Sequence, residues 1–259
     1  VDWKKAMIKI RVTPARLEKF FAFSLKDTLS PELWEADEQL KPAIKTALLK
    51  VVDDFIIKLE LENIKIDDII ITGSLANYNW SQFSDIDVHI LVDFTEVNEN
   101  KLLVKKFFDA IKSNWNKLHD IRVKGYEVEL YVQDTHEPHV STGVYSVLSD
   151  AWLMKPKKIK PEIDRAMAEK KALFIQREVD KLEKIYDNGD YEEALDMAQR
   201  LKDKIKRMRQ GGLQRSGIYS PENLAFKILR RSGHIESLFD VYTGAYDQSL
   251  SLNEKSHEA

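Results

Sequence analysis

Two aspartates one residue apart, Asp85 and Asp87, lie in the run Ser84-Asp-Ile-Asp-Val-His-Ile-Leu-Val92. Strand side chains alternate, so Asp85, Asp87 and His89 share one face while Ile86, Val88 and Ile90 take the other. Two carboxylates about 7 Å apart along a strand repel each other and desolvate at considerable cost unless a cation joins them. A hard divalent ion does this, and Mg²⁺ shares its oxygen shell with phosphates. Ten residues before Ser84 stands Ser74, preceded by Gly73. The glycine permits close backbone approach, and a serine at the start of a helix offers N–H groups and a hydroxyl to a phosphate. Together these residue types suit metal-assisted chemistry on a phosphate ester.

Positioning them requires strands. Ile69, Ile70 and Ile71 form a short apolar run, the mark of a strand covered on both faces. The reading from there is a Gly-Ser turn into a short helix, then the Asp-x-Asp strand. Before it, Pro42 to Leu61 carries Ile44, Leu48, Val51/Val52, Phe55 and Leu59 at helical spacing. After it, Asp93–Asn100 reads as a polar loop. Lys101–His119 reads as an amphipathic helix with Val104, Phe107/Phe108, Ile111, Trp115 and Leu118 on one face. Ile121–Val123 and Tyr126–Val132 flank Lys124-Gly125, a hairpin signal. In its second arm Tyr126, Val128, Leu130 and Val132 point one way, and Glu127, Glu129 and Tyr131 the other.

The joint pattern of apolar strand, Gly73-Ser-Leu-Ala, spacer and Ser84-Asp-Ile-Asp-Val resembles the nucleotidyltransferase superfamily typified by DNA polymerase beta, across roughly residues 40–133. The run Ser-Leu-Ala-Asn-Tyr-Asn-Trp80 is also similar to transferase-like proteins of large bacteriophages. The resemblance implies an α/β (α+β) fold, a mixed-sheet nucleotidyltransferase core with flanking helices. It implies a third carboxylate framed by apolar residues on a neighbouring strand. Val128-Glu129-Leu130 fits best, with Glu127 on the same face as the fallback. It further implies transfer of a nucleoside monophosphate from a nucleoside triphosphate to an acceptor hydroxyl. Asp85, Asp87 and Glu129 would hold two Mg²⁺ (or Mn²⁺) ions, and Gly73, Ser74 and Ser84 would contact the nucleotide. Small stand-alone members often carry Arg after Gly-Ser and a glycine three residues later; this chain has Leu75 and Tyr78. His89 reads as a hydrogen-bonded packing residue before a phosphate or metal contact, and an Asp85/Asp87/His89 zinc site is the weaker alternative.

The remaining sequence sets limits. With 259 residues, 43% hydrophobic and 32% charged, the chain suits one large domain or two modest ones. It has no cysteine, which excludes disulfides, thiolate metal sites and cysteine nucleophiles. No apolar run approaches the roughly 18 residues of a membrane span, and no secretory leader is visible, so a cytoplasmic protein with no membrane partner is expected. Residues 1–40 read as an extension: a strand at Ile8, Ile10 and Val12, a helix from Pro14, and a proline-started helix at Leu29–Trp34, with Trp34 in the core. The core would span 41–155. Within it, Asp134–Ser149 is a candidate wall of the substrate pocket, and Trp152–Pro161 reads as a linker.

An all-helical domain is expected over 156–250, then a disordered tail over 251–259, with the active site in the cleft between core and helices. Its helices run over Glu162–Asp187, from Asp190 to about Gln210 (ended by Gly211-Gly212), and from Ser220 to about Tyr246 with a break at Ser232-Gly233. Between Arg200 and Arg231 ten basic residues face two acids, a net +8 that leaves about −11 for the rest of a −3 chain. Such a segment is a candidate contact for nucleic acid or a triphosphate, beside the ordinary solvated-helix reading. The acceptor could be RNA, a protein or a small molecule. Two rival functions keep the fold: a pyrophosphate-transferring nucleotide synthetase, and a non-catalytic module that binds nucleic acid or a partner.

Overall fold

The apolar periods described above fold into two units, described here from a computed structural model covering residues 23, 25–59, 64–139, 141–159 and 161–251. The first unit is Phe23–Lys160, and the second takes in the described residues from 161 onward. The expected strand near residues 8–12, the helix from residue 14, and the tail from 252 lie outside the described residues.

In the first unit, α1 (Pro42–Lys58) starts on a proline that needs no N–H partner and buries Ile44, Leu48, Val52 and Phe55 along one stripe. Strand β1 (Asp68–Thr72) pairs antiparallel with β2 (Ile86–Val92). A single-turn helix α2 (Phe94–Val97) and the long α3 (Lys101–Leu118) then carry the chain over to β4 (Tyr126–Asp134), parallel to β2. Parallel neighbours need such a crossover, because no tight turn can join them. The two-residue β3 (Arg122–Val123) forms a hairpin with β4. Lys124 (φ 53°) and Gly125 (φ 85°) both adopt left-handed backbone there, as a two-residue hairpin turn requires. Two further strands, β5 (Val144–Ser146) and β6 (Ala151–Met154), extend the other edge, giving the order β3-β4-β2-β1-β5-β6 in a mixed six-stranded sheet.

One sheet face carries Ile69, Ile71, Ile86, Val88, Ile90, Val128 and Leu130 into a core shared with α1 and α3. On the opposite face Ile70, Leu91 and Val144 form a smaller apolar cluster. Because β3 is so short, most of the outer edge of β4 has no strand neighbour among the described residues. Asn116 of α3 substitutes for one: its amide donates to the Leu130 carbonyl (3.0 Å) and accepts from the Leu130 N–H (3.1 Å). This occupies the edge groups of Leu130, which would otherwise be open to pairing with another chain.

Several expectations need correction. No helix starts at Ser74: the chain runs from Gly73 through turns as far as the start of β2. Leu75 and Ala76 are fully buried, and the Asn77 side chain accepts the Tyr78 N–H at 2.8 Å, a local bond that competes with helix formation. Leu29–Trp34 is likewise a turn, ending in a bridge from Trp34 to Leu40. The buried Trp34 indole donates to the Leu75 carbonyl (2.8 Å) and stacks on Trp152, which holds the chain extended. The polar loop after β2 contains α2, whose start is capped by the Asp93 carboxylate accepting the Thr95 N–H. The expected pocket loop and linker supply β5 and β6. Val144 and Tyr145 are both buried, so neither shows the alternation that marks a half-covered strand.

In the second unit the described helices are α4 (Arg165–Asp187), α5 (Tyr191–Ser216), α6 (Pro221–Arg231) and α7 (His234–Leu250). No described helix is long and apolar enough to cross a membrane. Helix α5 does not end at Gly211-Gly212; it continues to Ser216 and stops at Gly217 (φ 66°). Gly212 has a packing reason instead. A Cβ there would sit 2.6 Å from Glu222 Cβ and 2.7 Å from Ser220 Oγ, the side chain that caps α6. Gly211 has nothing within 4 Å. Alanine should therefore act oppositely at adjacent positions. Gly211→Ala is expected to stabilise by about 0.5–1 kcal/mol through helix propensity, and Gly212→Ala to destabilise by about 1–3 kcal/mol through overpacking. Urea unfolding of the two variants checks this.

Candidate metal centre

The strand register assembles the acidic site. Parallel pairing of β2 with β4 sets Asp87 opposite Glu129, and antiparallel pairing sets Thr72 of β1 opposite Asp87 on its other side. Asp85 stands just before β2 rather than inside it. One carboxylate oxygen each from Asp85, Asp87 and Glu129 lie within 4.8 Å of one another, and all three residues are half-buried. A donor set made only of partly exposed carboxylate oxygens suits a hard divalent ion such as Mg²⁺ or Mn²⁺.

Glu127 shares the face but is not part of this grouping. Burial, followed by the Glu129 charge, raises its pKa. A carboxyl whose folded pKa lies above its unfolded one loses stability as pH climbs from the unfolded value through the folded one. Glu127→Gln should therefore raise the melting temperature at pH 7 and leave it little changed at pH 3, and a pair of thermal melts measures both.

Gly73 packs directly against Asp87. Its backbone is left-handed (φ 74°), and a Cβ there would fall 1.8 Å from Asp87 Oδ2. Ser74 Oγ donates to Ser84 Oγ at 2.7 Å, and Ser84 Oγ also accepts the Ser81 N–H at 3.0 Å. Those bonds fasten the segment leading into Asp85. The two departures from the small-transferase pattern fill structural roles. Leu75 is fully buried, and the Tyr78 hydroxyl donates to Glu38 at 2.6 Å. Burial and that carboxylate push the Tyr78 pKa up to about 12.

The strand period places Tyr131 on the face of Glu129, yet sequence reasoning gave it no role. Its hydroxyl donates to Glu129 Oε2, and its ring lies 4.8 Å from the His89 ring in a stacked arrangement. Burial, then the Glu129 carboxylate, raises the Tyr131 pKa, which keeps the proton on the phenol as a donor. Lys112 of α3 sets its ammonium 4.4 Å from the same ring. No sequence signal distinguishes Lys112 from the other lysines of that helix. His89 has its own partner: its Nδ1 pairs with Gln133 Oε1 at 3.0 Å, and burial lowers its pKa to about 4. It is not among the grouped ligands, so the zinc alternative lacks its nitrogen donor.

Part of the loop after β4 packs on the Gly73 turn. Asn77 Nδ2 donates to Thr142 Oγ1 at 2.6 Å, and a Cβ on Gly143 would meet the Ala76 carbonyl at 2.0 Å. Farther along, Asp93, Asp134 and His136 form a second grouping of metal-ligand type. There Lys101 already occupies Asp134, at 3.0 Å. Burial raises the Asp134 pKa, but the Lys101 and His136 hydrogen bonds outweigh it and bring it down to about 2.

Many cations of the basic segment are engaged within the helical unit. Arg200 pairs with Asp196 (2.6 Å) and Arg215 with Glu222 (2.7 Å). Lys202, Lys204 and Arg209 lie over the rings of Tyr242, Phe174 and Phe226. No protein-family model matches this chain, and no curated protein matches it in sequence.

Proposed function

We propose that the chain is a divalent-metal-dependent nucleotidyltransferase, moving a nucleoside monophosphate from a nucleoside triphosphate to an acceptor hydroxyl with release of pyrophosphate. The observation that carries this reading is the meeting of Asp85, Asp87 and Glu129 at one spot on the sheet. Asp85 and Asp87 would hold the metal jointly, and Glu129 would complete the set. The bound ion would supply charge neutralisation for the triphosphate and a lowered pKa for the attacking hydroxyl.

The chain's own residues do the positioning. Gly73 lets the backbone pass against Asp87, so the carboxylate is fixed by contact. Tyr131 donates to one Glu129 oxygen and leaves the other free to bind metal or accept the acceptor's proton. The Ser74–Ser84 bond holds the turn whose N–H groups would face the phosphates. With no helix starting at Ser74, that grip rests on turn amides and hydroxyls rather than a helix dipole.

The test is incubation with each nucleoside triphosphate labelled at the α-phosphate, Mg²⁺, and total cellular RNA or protein. The expected result is label in the acceptor and free pyrophosphate. Label appearing in the acceptor only from β,γ-labelled triphosphate would replace this reading with pyrophosphate transfer. No transfer, together with salt-sensitive RNA binding that Asp87→Asn leaves intact, would replace it with a non-catalytic binding module.

A further inference from the structure

Within the helical unit, α5 faces α6 and α7 across a cavity of about 490 Å³, a size typical of small-molecule sites. Its walls are apolar, with Phe226 of α6 and Ile235, Leu238 and Phe239 of α7. Three cations also line it. Lys202, Lys206 and Arg209 stand at one-turn and two-turn spacing on α5, so a single helix stripe brings all three to the same cavity. Asp203 is the one acid among the lining residues. Two of the cations are already drawn over rings: Lys202 Nζ lies 3.2 Å from the Tyr242 centroid, and the Arg209 guanidinium 4.2 Å from that of Phe226. Lys206 is exposed.

We propose that this cavity binds an organic anion with a flat or extended apolar body, the body against Phe226 and Leu238 and the anionic group at Lys202, Lys206 and Arg209. An inorganic anion would leave the apolar walls wet, and a neutral hydrocarbon would leave the lining cations without an anion. Only a molecule with both parts satisfies both surfaces. Burial lowers the pKa of Lys202 and, together with the neighbouring Arg230 charge, that of Arg209. The proposal is independent of the metal centre, so neither stands or falls with the other.

The probe is anilinonaphthalene sulfonate, compared with its uncharged parent N-phenylnaphthylamine, in fluorescence titrations of the full chain. One sulfonate probe is expected per chain, bound tighter than the neutral parent. Lys202→Met/Lys206→Glu should weaken the sulfonate about tenfold and leave the neutral probe unchanged. Phe239→Ala, at a half-exposed position that tolerates truncation, should weaken both. Displacement by adenosine monophosphate would identify a nucleotide as the natural class of anion, and displacement by decanoate an acyl carboxylate. Equal affinity for the two probes, insensitivity to the lysine changes, several sites per chain, or retention of the probe against millimolar levels of both competitors would each overturn the proposal.

Discussion

Asp87→Asn is expected to lower the rate of the proposed nucleotidyl transfer by about a thousandfold or more, and to remove the stabilisation that added Mg²⁺ gives the parent. The two effects share one cause. Asp87 is flanked in the sheet by Thr72 and Glu129 and lies within 4.8 Å of two other carboxylates. A cation held there would be bound partly through Asp87, whose anionic oxygen asparagine cannot replace. Thermal melts should therefore differ in their response to metal: the parent gains stability on adding Mg²⁺ and the variant does not. Asp85→Asn should behave in the same way. A variant that keeps near-parental turnover would remove the catalytic assignment.

Gly73→Ala should be the most damaging change outside the carboxylates. Alanine at φ 74° carries a left-handed penalty of about 1–2 kcal/mol. Its methyl group would also lie 1.8 Å from Asp87 Oδ2, so one of them must move. Strand β2 is paired on both sides, so the Asp87 side chain is the part expected to rotate, away from Asp85 and Glu129. Displacing a catalytic group by about 1 Å costs on the order of a hundredfold in rate. The expected outcome is activity reduced to that degree with a fold that still forms. Steady-state kinetics and circular dichroism on one preparation test both halves. Full activity in Gly73→Ala would mean that the close approach does not position Asp87.

Legibility in the sequence followed the physics of each element. The face shared by Asp87 and His89, and the opposite face of Ile86, Val88 and Ile90, follow from strand alternation, which needs no tertiary information. The long helices were readable because their apolar stripes repeat over several turns. The register that sets Asp87 beside Glu129 is a different matter, because a parallel pair is fixed by the intervening crossover and not by local pattern. Strands β5 and β6 were missed because they are three and four residues long, too short for a period to show. The helix expected at Ser74 failed because burial of Leu75 and the Asn77 side-chain bond decided the backbone there. Gly212 looked like a helix stop, whereas its role depends on Ser220 and Glu222 arriving from the next helix. Tyr131 was visible as a residue on the acidic face, but its bond to Glu129 depends on side-chain geometry that no spacing encodes.

Titration with Mn²⁺, following the free ion by electron paramagnetic resonance, tests the central claim most directly because it asks whether the three acids hold a metal without asking what reaction follows. The parent chain and Glu127→Gln should both take up Mn²⁺, with competition by Mg²⁺, while Asp87→Asn and Glu129→Gln should lose that uptake. Equal uptake by the parent and Asp87→Asn, or none by the parent, would contradict the account.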